Sequence, residues 1–333
     1  MSQTTDRKKT FSVKEFLLNS QSYIALVAIF IIGTLICVKN GRNLFLSLTN
    51  FMNLLRAVSE TGILAIGMTM IILLGDIDLS VGSVVALVST GSAALMVHNG
   101  WGFVPTVLAC LCMGAAYGLF NGLVVTQMKI QAFVVTLASM NIARGLARLW
   151  SGGAGIPLTY GIGEGLAAPE FEFFCKRLGG VVPVPAIIFL SLLLIFWGVM
   201  SKTRFGRQIY AVGGNSTAAH LSGIKVKRVR TLAFVISGVL ASIAGMIHSA
   251  QISQGGPNEG MSYEMYAIAA VAIGGTSMAG GKGTMLGTLV GALIFGMLDN
   301  VMGLKGINSN IQLVVKGFLI ILSVFAQAVR KED

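Results

Sequence analysis

Acidic residues are scarce in this chain: 13 of 333 are Asp or Glu, only three are His, and charged residues make up 11% against 54% hydrophobic. A soluble domain carries about 25% charged residues. A water-surrounded globular fold is therefore excluded, and a polytopic membrane protein is expected. Cysteine is almost as thin. Cys37, Cys110, Cys112 and Cys175 have no metal-ligand or redox spacing. Cys110 and Cys112 are two apart and face away from each other on a helix. Cys37 and Cys175 both fall near one membrane face, but a disulfide between them is not expected. His98, His220 and His248 are scattered and predict no metal site. No base sits near a nucleophile, so no catalytic residues are assigned and the chain is not expected to be an enzyme.

Glycine and basic residues are abundant by contrast. Gly supplies 42 residues, which lets helix backbones approach closely in lipid. The net charge of +11 comes from Lys and Arg gathered in short loops and tails, a pattern of membrane topology rather than of nucleic-acid binding. The apolar segments predict an all-α protein with about ten transmembrane helices, near 22–38, 57–75, 81–97, 103–128, 130–150, 183–200, 231–250, 264–275, 284–303 and 311–328. The eighth is short for a crossing of about 20 residues, which suggests a tilted or re-entrant segment. Residues 1–21 read as a cytoplasmic tail rather than a signal peptide, 22–328 as one membrane domain with a loop at 201–230, and 329–333 as a second cytoplasmic tail. Of the 24 Lys and Arg residues, this topology places fifteen inside, five outside and four within or at the ends of spans. That bias puts both termini in the cytoplasm of a bacterial inner membrane.

Glycine rows at Gly114, Gly118, Gly122 and at Gly283, Gly287, Gly291 fall on the fourth span of each five-span half, which suggests an inverted 5+5 repeat. Leu44–Leu55 alternates apolar and polar residues at helical spacing, as an interfacial helix would. Pro169–Leu178 reads as a second such helix, stopped at Gly179.

Several groups are candidates for function. Between the second and third spans, Asp76, Asp78 and Ser80 stand where one helix stops and another starts. Asp78 or Ser80 is expected to cap the third span, and the same residues suit a polar gate or a sugar hydroxyl contact. Arg144 and Arg148 share one helix face, as do Arg56 and Glu60; each pair either lines an outer vestibule or reaches to the interface. Asp299 and Lys316 lie at similar depth in the last two spans and predict a structural ion pair, because lone charges there are costly. The 201–230 loop holds seven basic residues and no acid. Within it, Asn215 or Ser216 is a helix cap, Ala218–Ser222 can be helical, and Gly223 is a stop. A helix of two turns is unstable alone, so it packs either on its own bundle or on a cytoplasmic partner. The segment Gly274–Thr284 fails the spacing of a phosphate loop and reads as a flexible hinge.

Three motifs together resemble the permease subunits of ribose/galactose/xylose-type sugar ABC importers: Asp76-Ile77-Asp78-Leu79-Ser80-Val81-Gly82; Thr203-Arg204-Phe205-Gly206-Arg207 leading to Gly213-Gly214-Asn215; and Gly274-Gly275-Thr276-Ser277 through Gly280-Gly281-Lys282-Gly283-Thr284. The resemblance covers roughly 24–328. It implies a homodimer or a pair of related permeases, a cytoplasmic ABC ATPase that holds the ATP and Mg, and a periplasmic sugar-binding protein. It also implies that Asn215, Ser216, Thr217, Ala218, Ala219, His220 and Leu221 form the coupling helix that seats in the ATPase. This chain would itself bind no cofactor. Two positions depart from the family pattern: Asp76, often Gly there, and Gln131-Ala132-Phe133, where Pro more usually precedes Phe. The main rival is an ion-coupled secondary transporter or channel, which needs titratable groups on its pathway; a nucleoside or other small polar solute is the alternative cargo.

Overall fold

The computed structural model describes residues 13–332, residue 40 excepted. Among the described residues the chain is mostly helical: α1 (Val13–Ile36), α2 (Leu48–Leu73), α3 (Val81–Val97), α4 (Phe103–Gln127), α5 (Ala132–Ser151), α6 (Val184–Lys202), α7 (Arg204–Gly214), α8 (Ser216–Leu221), α9 (Val226–Ile252), α10 (Tyr263–Ile273), α11 (Met285–Leu304) and α12 (Ser309–Glu332). Six of these, α2, α4, α5, α6, α9 and α11, are long and apolar enough to cross a membrane. The apolar stretches Gln21–Ile36, Val81–Val97, Tyr263–Ile273 and Ser309–Leu322 are shorter. Every expected span falls on one of these ten helices.

The helices sort by burial. From Gly62 to Leu73 every residue of α2 is buried, and α3 is buried from Val81 to Met96. Helices that are apolar all round belong at the centre of a bundle. Around α2, α3 and α9 stand α4, α5, α6, α1 and α12, which turn Leu, Ile and Phe outwards: Leu35, Leu149, Leu194, Phe318, Ile321 and Leu322 are all exposed. So much exposed apolar surface suits a lipid surround. Close backbone approach holds the centre together. Gly114 and Gly118 of α4 lie against Gly238 and Phe234 of α9, where a methyl group would collide with the carbonyl opposite. On α11, Gly287 and Gly291 meet Gly274 at the end of α10 and Ala270 within it.

Local chemistry sets the ends. Ser47, Thr203, Asn215 and Thr284 each accept a backbone N–H in the first turn of α2, α7, α8 and α11. Gly152 closes α5 in the left-handed region, with φ of 65°.

Several expectations are corrected. Leu44–Leu55 is not a separate interfacial helix. α2 starts at Leu48, on the Ser47 cap, and runs unbroken. Its polar face is used instead: Asn50 Nδ2 donates to Asn300 Oδ1 at 2.9 Å, and Asn53 Oδ1 accepts from Arg177. Pro169–Leu178 forms only a 3-10 turn, Pro169–Phe174, followed by a hairpin pairing Arg177–Leu178 with Val182–Pro183. Gly179 and Gly180, both at positive φ, make the reversal rather than a helix stop. The segment read as an N-terminal tail is helical from Val13, and α12 continues through the segment read as a C-terminal tail to Glu332. Arg7, Lys8, Lys9 and Asp333 lie outside the described residues. The 201–230 loop is mostly helix, and Gly274–Thr284 is packed rather than loose: Gly281 N donates to Leu73 O at 2.9 Å and Ser277 N to Lys282 O at 2.7 Å. All four cysteines are free thiols; Cys110 is buried and Cys112 exposed, as their spacing requires.

Candidate functional site

At one end of the bundle α7 and α8 project as a pair. Asn215, extended at φ −159° and ψ 103°, caps α8 by accepting from Ala218 N at 2.9 Å. Of Asn215, Ser216, Thr217, Ala218, Ala219, His220 and Leu221, only Ala219 is buried, and Leu221 is 82% exposed. A helix this short gains little from its own hydrogen bonds, so it is held by Ala219, by its cap and by α7 behind it. α7 is anchored firmly. Ile209 and Val212 are buried, and Tyr210 Oη donates to Gly283 O at 2.9 Å. Gly213 lies directly on Leu73 O at the end of α2, where no side chain would fit. α8 is therefore linked through α7 to the end of α2 and to the 274–284 turn. α7 itself went unrecognised in the sequence, although Phe205, Ile209 and Val212 stand at i, i+4, i+7.

The linker between α2 and α3 starts at the same end. Asp76 Oδ1 accepts from Arg230 Nη2 of α9 at 2.9 Å. Burial, the stronger influence, pushes the Asp76 pKa up to about 6, against the lowering effect of Arg230. Asp78 turns inward. Its Oδ1 accepts from Ser80 N at 2.9 Å and Ser80 Oγ at 2.6 Å, its Oδ2 from Ser237 Oγ of α9 at 3.4 Å, and Ser80 Oγ in turn accepts from Asn121 Nδ2 of α4 at 2.9 Å. The expected cap of α3 is corrected here. Ser80 occupies the cap position but makes no side-chain cap bond: its backbone is helical rather than extended, and its hydroxyl donates to Asp78 and accepts from Asn121.

Deeper in the bundle the first turns of α3 and α10 meet: Gly82 lies against Gly260 O and the Glu264 carboxylate. The chain reaches α10 through a folded segment, 253–262, rather than through helix. Arg144 and Arg148 hold that segment: Arg144 Nη1 donates to Pro257 O at 2.8 Å and Glu259 O at 2.6 Å, and Arg148 Nη2 to Asn258 Oδ1 at 3.0 Å. They act together on this segment, Arg144 on its backbone carbonyls and Arg148 on the Asn258 side chain. Arg56 does not pair with Glu60; its Nε donates to Gln251 Oε1 at 2.8 Å. Glu60 belongs to a cluster unforeseen from sequence. His248 bridges Glu60 Oε2 at 2.7 Å and Glu259 Oε2 at 2.9 Å, and Tyr263 Oη donates to Glu60 at 3.0 Å. The available signal was one Glu and one His inside long apolar helices. Asp299 and Lys316 are 2.9 Å apart, and Lys316 Nζ also stands 4.5 Å from the centroid of the Tyr266 ring. They bind α10, α11 and α12 together at the periphery, away from the linkers.

The chain matches one protein family, described as the branched-chain amino acid transport system/permease component, over residues 50–324. It belongs to that family. It is similar to the ribose import permease protein RbsC of Escherichia coli (strain K12), 41% identical over 326 residues and 97% of each chain. RbsC of Haemophilus influenzae is 39% identical over 320 residues and 95% of each. The xylose transport system permease protein XylH of E. coli K12 is 34% identical over 367 residues, covering 94% of this chain and 93% of its own. The resemblance read from the three motifs is borne out. No solved structure matches the chain.

Proposed function

We propose that this chain is the membrane-spanning permease subunit of an ATP-driven importer, moving a small sugar delivered by a periplasmic binding protein. One observation carries the reading: ribose and xylose permeases align with more than nine-tenths of the chain at 34–41% identity. The family's general description names amino acids, but the sugar permeases cover this chain almost end to end. The chain therefore supplies the doorway. The ATP and Mg belong to a separate cytoplasmic ABC ATPase, and a second permease copy, identical or closely related, completes the pair.

The membrane arrangement follows. All ten long or apolar helices cross or enter the bilayer as one domain, with α8 and both termini on the cytoplasmic side of a bacterial inner membrane. An inverted 5+5 repeat is supported by the packing plan: α3 on α9 is mirrored by α10 on α2, α4 on α9 by α11 on α2, and α3 on α5 by α10 on α12. The glycine rows that first suggested it have different partners, α9 for one and α10 for the other. α1 and α6 break the symmetry, packing on α11 and α2.

Mechanism rests on the α8 linkage. The exposed face of α8, residues 215–221, seats in the ATPase. Closure of the ATPase on ATP displaces α8 and α7; the Gly213–Leu73 contact passes this to α2. The short connection from α8 to α9 passes it to Arg230 and hence to Asp76 in the α2–α3 linker. Asp76, Asp78 and Ser80 then act as the inner gate, and the bundle opens to one side or the other. Arg144 and Arg148 act as positioning residues for 253–262, and Asp299 with Lys316 as a structural tie. In proteoliposomes holding the permease and its ATPase, with binding protein outside, uptake should require ATP and survive collapse of proton and sodium gradients. Uptake that dies with the gradients while ATP is held constant would favour an ion-coupled carrier instead.

A further inference from the structure

A cavity of about 600 Å³ opens at the α8 end, between the α2–α3 linker, the α4–α5 turn and the start of α9. Its size is that of an ordinary small-ligand site. Asp76, Lys129, Gln131, Phe133, Lys227 and Arg230 line it. Three cations against one carboxylate leave two positive charges. Two helices also begin at its wall, α5 after Gln131 and α9 after Lys225, and neither has a side-chain cap. Their first N–H groups add positive potential.

The polar groups are underused. The Asp76 side chain is only 7% exposed, yet its Oδ2 has no hydrogen-bond partner; Oδ1 alone meets Arg230. Arg230 Nε is likewise unpartnered. Lys227 Nζ meets only Gln127 Oε1, at 3.1 Å. A purely anionic ligand would leave Asp76 opposed, and a neutral one would leave two positive charges unmatched. A ligand with both an anion and hydroxyls matches the excess of cations and offers donors to the Asp76 side of the wall.

We propose that this cavity binds a phosphoryl group carried by a polyol. The phosphoryl oxygens face Lys129, Lys227 and the start of α5, while hydroxyls donate to Asp76 and accept from Gln131. A phosphomonoester carries a charge of about −1.5 to −2 near pH 7, which balances the site. Two sources share the phosphoryl-plus-hydroxyl pattern: a soluble sugar phosphate, a monoester that brings the full charge, and the headgroup of a hydroxyl-bearing anionic lipid, a diester that brings a single charge. The placement of the cavity on the cytoplasmic side rests on the orientation proposed above, but binding in nanodiscs, open on both faces, does not.

The test is calorimetry on the full chain in phosphatidylcholine nanodiscs, titrated with pentose 5-phosphate, inorganic phosphate and free pentose. Pentose 5-phosphate should bind at least tenfold more tightly than free pentose, and weaken at least tenfold in the doubly substituted K129Q/K227Q chain. Both lysines lie at the surface, so folding is spared. Asp76→Asn should cut the preference for pentose 5-phosphate over inorganic phosphate several-fold. In nanodiscs containing phosphatidylglycerol, undiminished affinity identifies the soluble ligand. Competition there, with more phosphatidylglycerol retained by the parent chain than by K129Q/K227Q, identifies the lipid headgroup. Equal binding of phosphorylated and free pentose, binding untouched by K129Q/K227Q, or neither pentose 5-phosphate binding nor selective lipid retention would overturn the proposal. None of these outcomes depends on ATP-driven uptake.

Discussion

The two ends of the bundle solve the same problem with different materials. Each has a segment that leads the chain into a central helix. At the α8 end, linker 74–80 and its neighbours are fastened by backbone contacts, by one ion pair, Asp76 with Arg230, and by the hydrogen bonds of Asp78 to Ser80 and Ser237. At the other, 253–262 is fastened by charge: Arg144, Arg148 and the Glu60–His248–Glu259 cluster. Buried ions are costly to separate, because each loses its partner in a medium that solvates it poorly. The end around 253–262 thus resists opening, while the docking proposed for α8 would require the other end to shift.

This contrast is sharpest at His248. His248→Ala leaves Glu60 and Glu259 facing each other without the group between them. Breaking such a buried pair costs about 3–5 kcal/mol, so thermal unfolding in detergent should show a large loss. A loss under about 1 kcal/mol would mean that the cluster is not what holds this end. Gly213→Val comes next. Overpacking of this kind costs about 1–3 kcal/mol, and ATP-driven uptake should fall at least tenfold as α7 is pushed off Leu73. Uptake unchanged in that variant would break the proposed link from α8 to α2.

The peripheral tie is weaker. Lys316→Gln should cost about 1–2 kcal/mol, since it leaves the Asp299 carboxylate without its counter-charge inside a span while the amide still offers it a donor. The smallest effect on stability is expected at Leu221→Asp, within about 0.5 kcal/mol, because an exposed position tolerates change. Uptake should nevertheless vanish, along with ATPase co-purification. A Leu221→Asp chain that still drives uptake would remove the docking role from α8.

The same contrast explains what the sequence made legible. All ten apolar segments lie on helices, because apolar helices depend on local composition that a window of residues already reveals. α8 was legible too, since an Asn cap and a Gly stop flank it. Asp299 and Lys316 were legible as charges at matching depth in adjacent spans. The Glu60–His248–Glu259 cluster was hidden, because its members come from α2, α9 and the 253–262 segment, and only tertiary packing brings them together. The 274–284 turn misled because glycines that signal a loose chain by composition were there to admit a close backbone neighbour. The cavity between the α2–α3 linker, the α4–α5 turn and α9 was invisible for the first reason: its walls lie up to about 150 residues apart.

The contact of Gly213 and Gly281 with Leu73 has one more consequence. Side chains have rotamers, and a joint made of them absorbs small displacements by switching between wells. Here main chain bears on main chain, with no torsion in between to take up slack. If α8 is driven as proposed above, a small displacement of α7 would reach the foot of α2 with little loss, and a short stroke would suffice.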